Sequence, residues 1–108
     1  MYSRFDIYYV NLGHATGSEI QKTRPCVIIS PDEMNYNIAT VIVAPITSKL
    51  HNYPTRVPCS VEAKKGQIVL DQIRTVDKKR FIKKLSTVSD ETIKKIEAAI
   101  RLHFDMEY

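Results

Sequence analysis

The sequence predicts a mainly β domain of about six short strands, bent into a small, partly closed barrel and followed by one C-terminal helix. Three observations carry this. Short runs of β-branched and aromatic residues alternate with turn residues as far as Val88. A helical period appears only from Ser89 to Phe104. The length, 108 residues, suits one domain spanning 1–108, without internal repeats or low-complexity segments.

Each element follows from its residues. "DIYYVNL" at 6–12 is short and rich in aromatic and β-branched side chains, so it reads as a strand. "GHATGSEIQK" at 13–22 holds two glycines and no period, which makes a long loop of the kind that often carries function. "RPCVIIS" and "ATVIVAPITS" are strands apolar on both faces, separated by a turn region, "PDEMNYN". "KLHNYPT" is a loop. In "RVPCSV", Val57, Cys59 and Val61 alternate with polar or small residues, as a half-exposed strand requires. "EAKKG" turns, "QIVLDQI" returns as a strand, "RTVDKKR" is a short polar turn, and "FIKKLSTV" is the last strand. Pro25, Pro45 and Pro58 confine their strands to edges, starts or bends. The helix begins at Ser89 as N-cap, with Asp90 and Glu91 opposing the dipole. Ile93, Ile96, Ile100 and Phe104, with Ala99, form its apolar stripe, and Lys94, Lys95, Glu97 and Arg101 face away.

Composition narrows the function. Hydrophobic residues make up 44% and charged residues 26%, a globular balance that excludes a disordered chain. A net charge of +4 and a pI near 9.1 form a mild basic bias that favours a polyanionic partner. The longest apolar stretch, "ATVIVAPI", is too short to span a bilayer, and the N-terminus lacks a signal-peptide pattern. A cytoplasmic location is therefore expected, with Cys26 and Cys59 as reduced, buried thiols. Three histidines and two cysteines lie scattered with no metal-ligand spacing, and no glycine-rich phosphate loop follows a strand. No metal and no cofactor are expected.

Polar residues cluster at strand mouths instead. Arg24 precedes "PCVIIS", Thr47 and Ser48 close "TVIVAPI", and Gln72 and Arg74 follow "QIVL". In a bent sheet these ends can converge beside the loop carrying Ser18 and Glu19. A guanidinium presents a fixed fork of donors that matches phosphate oxygens. The plainer alternatives are a pairing of Arg24 with Glu19 and turn duty for Thr47 and Ser48.

Four segments, in order, resemble the MazF/PemK-like toxin family of type II toxin–antitoxin systems: "GSE" at 17–19, "KTRPCVIIS" at 22–30, "APITS" at 44–48 and "DQIRTVDKKR" at 71–80. The resemblance implies an SH3-like barrel of six to seven strands (the MazF/CcdB type) with a C-terminal helix. It implies a homodimer that cuts single-stranded RNA at short sequences without metal, leaving a 2′,3′-cyclic phosphate, and a cognate MazE-like antitoxin. It makes Arg24 and Thr47 catalytic, with Glu19 implicated in some members. Ser18, Ser48 and Gln72 fall where the family contacts RNA, and Arg74 and Asp77 match a further pattern in which a structural or dimer role competes with a substrate role. In one departure, Phe5 precedes Asp6 where the family usually has glycine.

The chemistry required is deprotonation of the 2′-hydroxyl, stabilisation of the phosphorane and protonation of the leaving 5′-oxygen. Arg24 suits the second task. Glu19, Thr47 and His14 all remain open as the base. Tyr36 and Tyr53 are loop aromatics on which unpaired bases can stack. The competing reading is a non-nucleolytic toxin of the same barrel that binds a protein such as DNA gyrase, for which the tail "FDMEY" would be decisive.

Overall fold

The computed structural model describes residues 1–14 and 17–105. Seven strands and two helices run in the order β1 (Asp6–Asn11), β2 (Thr23–Ile28), α1 (Asp32–Asn37), β3 (Thr40–Thr47), β4 (Arg56–Val61), β5 (Lys64–Val69), β6 (Arg74–Asp77), β7 (Phe81–Thr87) and α2 (Asp90–His103). Neighbouring strands follow the path β4-β5-β3-β2-β1-β7, and β6 also pairs with β3. All pairings are antiparallel. The expected bent sheet with a C-terminal helix is thus present, with seven strands rather than six.

The bend is made in β3. Its first half, Thr40–Val43, pairs with β6, and its end, Ile46–Thr47, pairs with β5. Pro45, which cannot donate to a ladder, lies between the two. Pro25 stands in β2 ahead of the β3 ladder, which begins at Cys26, and Pro58 lies on the terminal strand β4. All three prolines therefore occupy a bend, a start or an edge.

The curl buries both faces of the middle strands. Ile7, Val27, Ala44, Ile46 and Ile68 join Ile96 and Ala99 of α2 in one cluster. Tyr8, Val10, Cys26, Ile28, Val41 and Val43 form a second on the other face, where Tyr2, Tyr8 and Phe81 pack with centroids 4.9–5.2 Å apart. The Ser89 hydroxyl caps α2 by accepting from the Thr92 N–H. Phe104 leaves the predicted stripe, being 49% exposed beyond the helix end.

Several local expectations are corrected. "PDEMNYN" is not a turn but the short helix α1, locked by Asn35, whose buried amide donates to the Ser30 carbonyl and accepts from the Ser30 hydroxyl. "EAKKG" turns only at Glu62–Ala63, because β5 already begins at Lys64 and its strand ends at Val69 in a 3-10 turn, Leu70–Gln72. "RTVDKKR" splits into β6 and a second 3-10 turn, Lys78–Arg80. Phe5 adopts φ 71°, the left-handed conformation that glycine takes most easily. Its N–H donates to the Ile28 carbonyl at 2.7 Å and its carbonyl accepts from Val88 at 2.9 Å. Phenylalanine therefore holds the first turn in a glycine-like geometry. Residues 15 and 16 of the predicted loop and 106–108 of the tail lie outside the described residues. Among the described residues no helix is long and apolar enough to cross a membrane.

Candidate functional site

Two strand mouths meet at one cavity. Lys22, in the left-handed region at φ 69°, turns the chain into β2, and its amide and carbonyl are tied to Gly13 and Leu12 at 2.9 Å each. The loop between β1 and β2 is thereby clamped at its base, and Arg24 emerges just after the clamp. Arg24 is half-buried, and its Nε donates to the Gln21 carbonyl at 3.3 Å. Thr47 ends β3, and its hydroxyl accepts from the Lys49 N–H at 3.1 Å, so the turn duty expected of it is also present. Arg24, Thr47 and Ser48 line a cavity of about 380 Å³.

The hairpin of β4 and β5 supplies the opposite wall with Glu62, Lys64 and Lys65. Its place is set by a close approach. Gly66 lies so near β3 that a Cβ built on it would stand 2.9 Å from the Thr47 carbonyl oxygen. Three cations and one carboxylate therefore surround the space in front of Thr47. The lysines and Glu62 were missed in the sequence because "EAKKG" reads as a turn. The period-two pattern of β5, followed back from Ile68 through Gly66 to Lys64, carries the signal that they belong to a strand.

The other site candidates fall elsewhere. Glu19, Gln72 and Arg74 line a second concavity of about 230 Å³, to which β3 contributes Pro45, while the next residue, Ile46, lines the first. Gln72 spans the gap to the long loop: its Oε1 accepts from the Ile20 N–H at 2.7 Å, and its Nε2 donates to the Ser18 carbonyl at 3.2 Å. The single concavity expected for all these groups is two, each with a residue of β3 in its lining. Ser18 is exposed and anchored through its backbone, and His14 is exposed outside both linings. Asp77 accepts from the Lys79 N–H and caps the second 3-10 turn, a structural task.

Tyr36 shares a hydrogen bond with Ser3, and Tyr53 stacks on His51 with planes 1° apart while the Arg56 guanidinium sits 5.1 Å from its ring. Cys26, within β2, is fully buried; burial pushes its thiol up to about 12, against the opposing charge of Arg74. Its burial withholds the exposed thiolate that a nucleophile needs. No group of metal-ligating side chains occurs among the described residues.

Comparison with known proteins identifies the family and the fold. The family described as PemK-like, MazF-like toxin of type II toxin–antitoxin system matches residues 3–104. Endoribonuclease MazF of Staphylococcus saprophyticus is 39% identical, with 93% of this chain and 88% of the relative aligned. A mycobacterial endoribonuclease solved in complex with its cognate antitoxin superposes with a TM-score of 0.85 at 23% identity, over 100% of this chain and 99% of the other. MazF from Deinococcus radiodurans gives a TM-score of 0.85 at 20% identity, with 97% of each chain covered.

Proposed function

The chain belongs to the PemK-like, MazF-like toxins of type II toxin–antitoxin systems, and on that premise we propose that it cuts single-stranded RNA at short sequences without a metal ion. The observation that carries this is the meeting of Arg24 and Thr47, from the mouths of β2 and β3, on one cavity large enough for a nucleotide phosphate and its sugar.

The reaction needs no bound nucleophile, since RNA brings its 2′-hydroxyl. That oxygen attacks the adjacent phosphorus, the 5′-oxygen leaves, and the products are a 2′,3′-cyclic phosphate and a 5′-hydroxyl end. Arg24 carries a permanent charge on a preorganised fork and stabilises the equatorial oxygens of the phosphorane. Thr47 orients a phosphate oxygen or the 2′-hydroxyl, and Ser48 donates beside it. Glu19, Gln72 and Arg74, in the second concavity, hold another nucleotide of the strand, with Ser18 at the loop surface. Lys64 and Lys65 add phosphate attraction that weakens with salt.

The toxin acts in the cytoplasm as a homodimer, and its cognate antitoxin silences it by laying an acidic segment into the basic cavity. The mycobacterial relative solved with its antitoxin supports that partner class.

The test is cleavage of a long single-stranded RNA in EDTA by wild type, Arg24→Ala and Thr47→Ala, each checked for folding. Cuts at a few short sequences by wild type, reduced about a hundredfold or more in Arg24→Ala, are expected. Equal cutting by Arg24→Ala sinks the mechanism. Absence of cutting by the folded wild type sinks the activity.

A further inference from the structure

Among the described residues, Glu62 is the one carboxylate lining the cavity of Arg24 and Thr47. In a space built to attract phosphate, with Arg24, Lys64 and Lys65 around it, a carboxylate opposes binding of the backbone. Its presence calls for a partner other than phosphate.

The backbone beneath it is unusual as well. Glu62 and Ala63 both have positive φ, 50° and 64°. Two-residue hairpin turns of this kind are made most easily by Asn-Gly. Here they are made by two residues that resist the conformation, and such strain collects where a side chain is held for use. The tip is also rigidly placed. The ladder of β4 and β5 is paired down to Val61 and Lys64 on either side of the turn, and Gly66 seats β5 against the Thr47 carbonyl. The hairpin tip that carries the carboxylate is thus held at a fixed place relative to Thr47.

On the reading that the cavity cuts RNA, we infer that Glu62 reads the base next to the scissile phosphate, accepting a hydrogen bond from its exocyclic amine. Adenine, cytosine and guanine each carry that amine. Uracil has no exocyclic amine; its one edge donor, N3–H, is flanked by two carbonyl oxygens that a carboxylate repels, so it bonds there less well. In an unpaired strand the base edge is free to turn toward the hairpin tip while its phosphate stays with Arg24. Glu62 is then a specificity residue that disfavours uracil at one position beside the cut.

The test takes the site that the wild type cuts in a long RNA and compares oligonucleotides that carry each of the four bases at each position flanking the cut. The wild type is expected to disfavour uracil at one of these positions. In Glu62→Ala the ratio of kcat/KM between the amine-bearing base and uracil at that position should collapse by about tenfold or more. Glu62→Gln, which keeps an acceptor but loses the charge, should fall between. Glu91→Ala makes the same charge change on exposed α2 and should leave the ratio alone. Unchanged ratios in Glu62→Ala, or uniformly tighter binding of every oligonucleotide, overturn the inference while leaving the nuclease intact. An equal loss of kcat for every base, with loss of the acidic limb of the pH profile, overturns it in favour of proton transfer. A wild type that cuts nothing removes the nuclease reading and this inference together.

Discussion

Gly66 and Thr47 touch backbone to backbone: a methyl group on Gly66 would stand 2.9 Å from the Thr47 carbonyl oxygen and 3.1 Å from the Ile46 side chain. Gly66 has no positive φ to explain it, so the demand is for space alone. Both contacts belong to packed strands that cannot swing aside. Gly66→Ala should therefore push β5 off the end of β3, costing about 1–3 kcal/mol by the usual scale of overpacking. RNA cleavage should fall by tenfold or more, since Thr47 and the lysine wall move apart. Thermal melting with a parallel cleavage assay checks this. A variant with unchanged melting and full activity would show that the approach has slack.

Phe5 poses the opposite case, a bulky residue in a conformation suited to glycine. Its ring packs against the core, with the Arg4 guanidinium 4.9 Å from the centroid, so simple deletion mixes two effects. Phe5→Ala and Phe5→Gly both lose the ring, and only the first keeps a Cβ at φ 71°. The glycine variant should be the more stable of the two by about 1 kcal/mol, the reverse of the usual order in regular structure. Melting temperatures of the two, several degrees apart, decide it. If alanine is equal or better, the turn carries no strain.

The sequence told most where each residue's own pattern sufficed. Val57, Cys59 and Val61 alternate over a strand that is half-buried, and Ser89 announces the helix with its own cap. Arg24 and Thr47 could be named because each closes or opens an apolar run. The misses are all effects of distance. The helix α1 is too short to show a period and depends on the buried Asn35 amide reaching Ser30. In β6 only Val76 is buried, so nothing local separates it from a polar turn, and its identity rests on pairing with β3. The second concavity is lined by Gln72 and Ile20, which bond across 52 positions of chain. Lys64, Lys65 and Glu62 reach the cavity only because Gly66 lets the hairpin dock.

Asp71 links the loop before β4 to the 3-10 turn. Burial opposes its ionisation, but hydrogen bonds from Arg56 and Thr55, and the Arg56 charge, outweigh this and hold its carboxyl below the usual range. The Arg56 side chain is only 8% exposed, so the pair is shielded on that side. A depressed folded pKa stabilises the fold above the unfolded value, near 3.9, and the gain disappears as pH falls through the folded value. Asp71→Asn should therefore be less stable than wild type at neutral pH, by roughly 1 kcal/mol, since solvent reaches the 30% exposed Asp71 side chain and screens the pair. The gap should narrow below about pH 4. Urea titrations at several pH values measure it. A gap that stays constant down to pH 2 would assign the loss to packing rather than charge.

The two thiols make the last prediction. Burial raises Cys59 to about 11 and Cys26, which is fully buried, to about 12, both above the ordinary 9.0. The thiolate is the reactive form, so at pH 8 a rise from 9.0 to about 11 cuts its share at Cys59 roughly a hundredfold. Cys26 is further shut in, its thiol donating to the Arg24 carbonyl at 3.6 Å. Iodoacetamide under native conditions should add at most one label, slowly and at Cys59, and the second should appear only after unfolding. Intact-mass spectrometry over time reads both steps. Rapid double labelling of the folded protein would mean that β2 opens readily, and the preorganised placing of Arg24 on it would fall too.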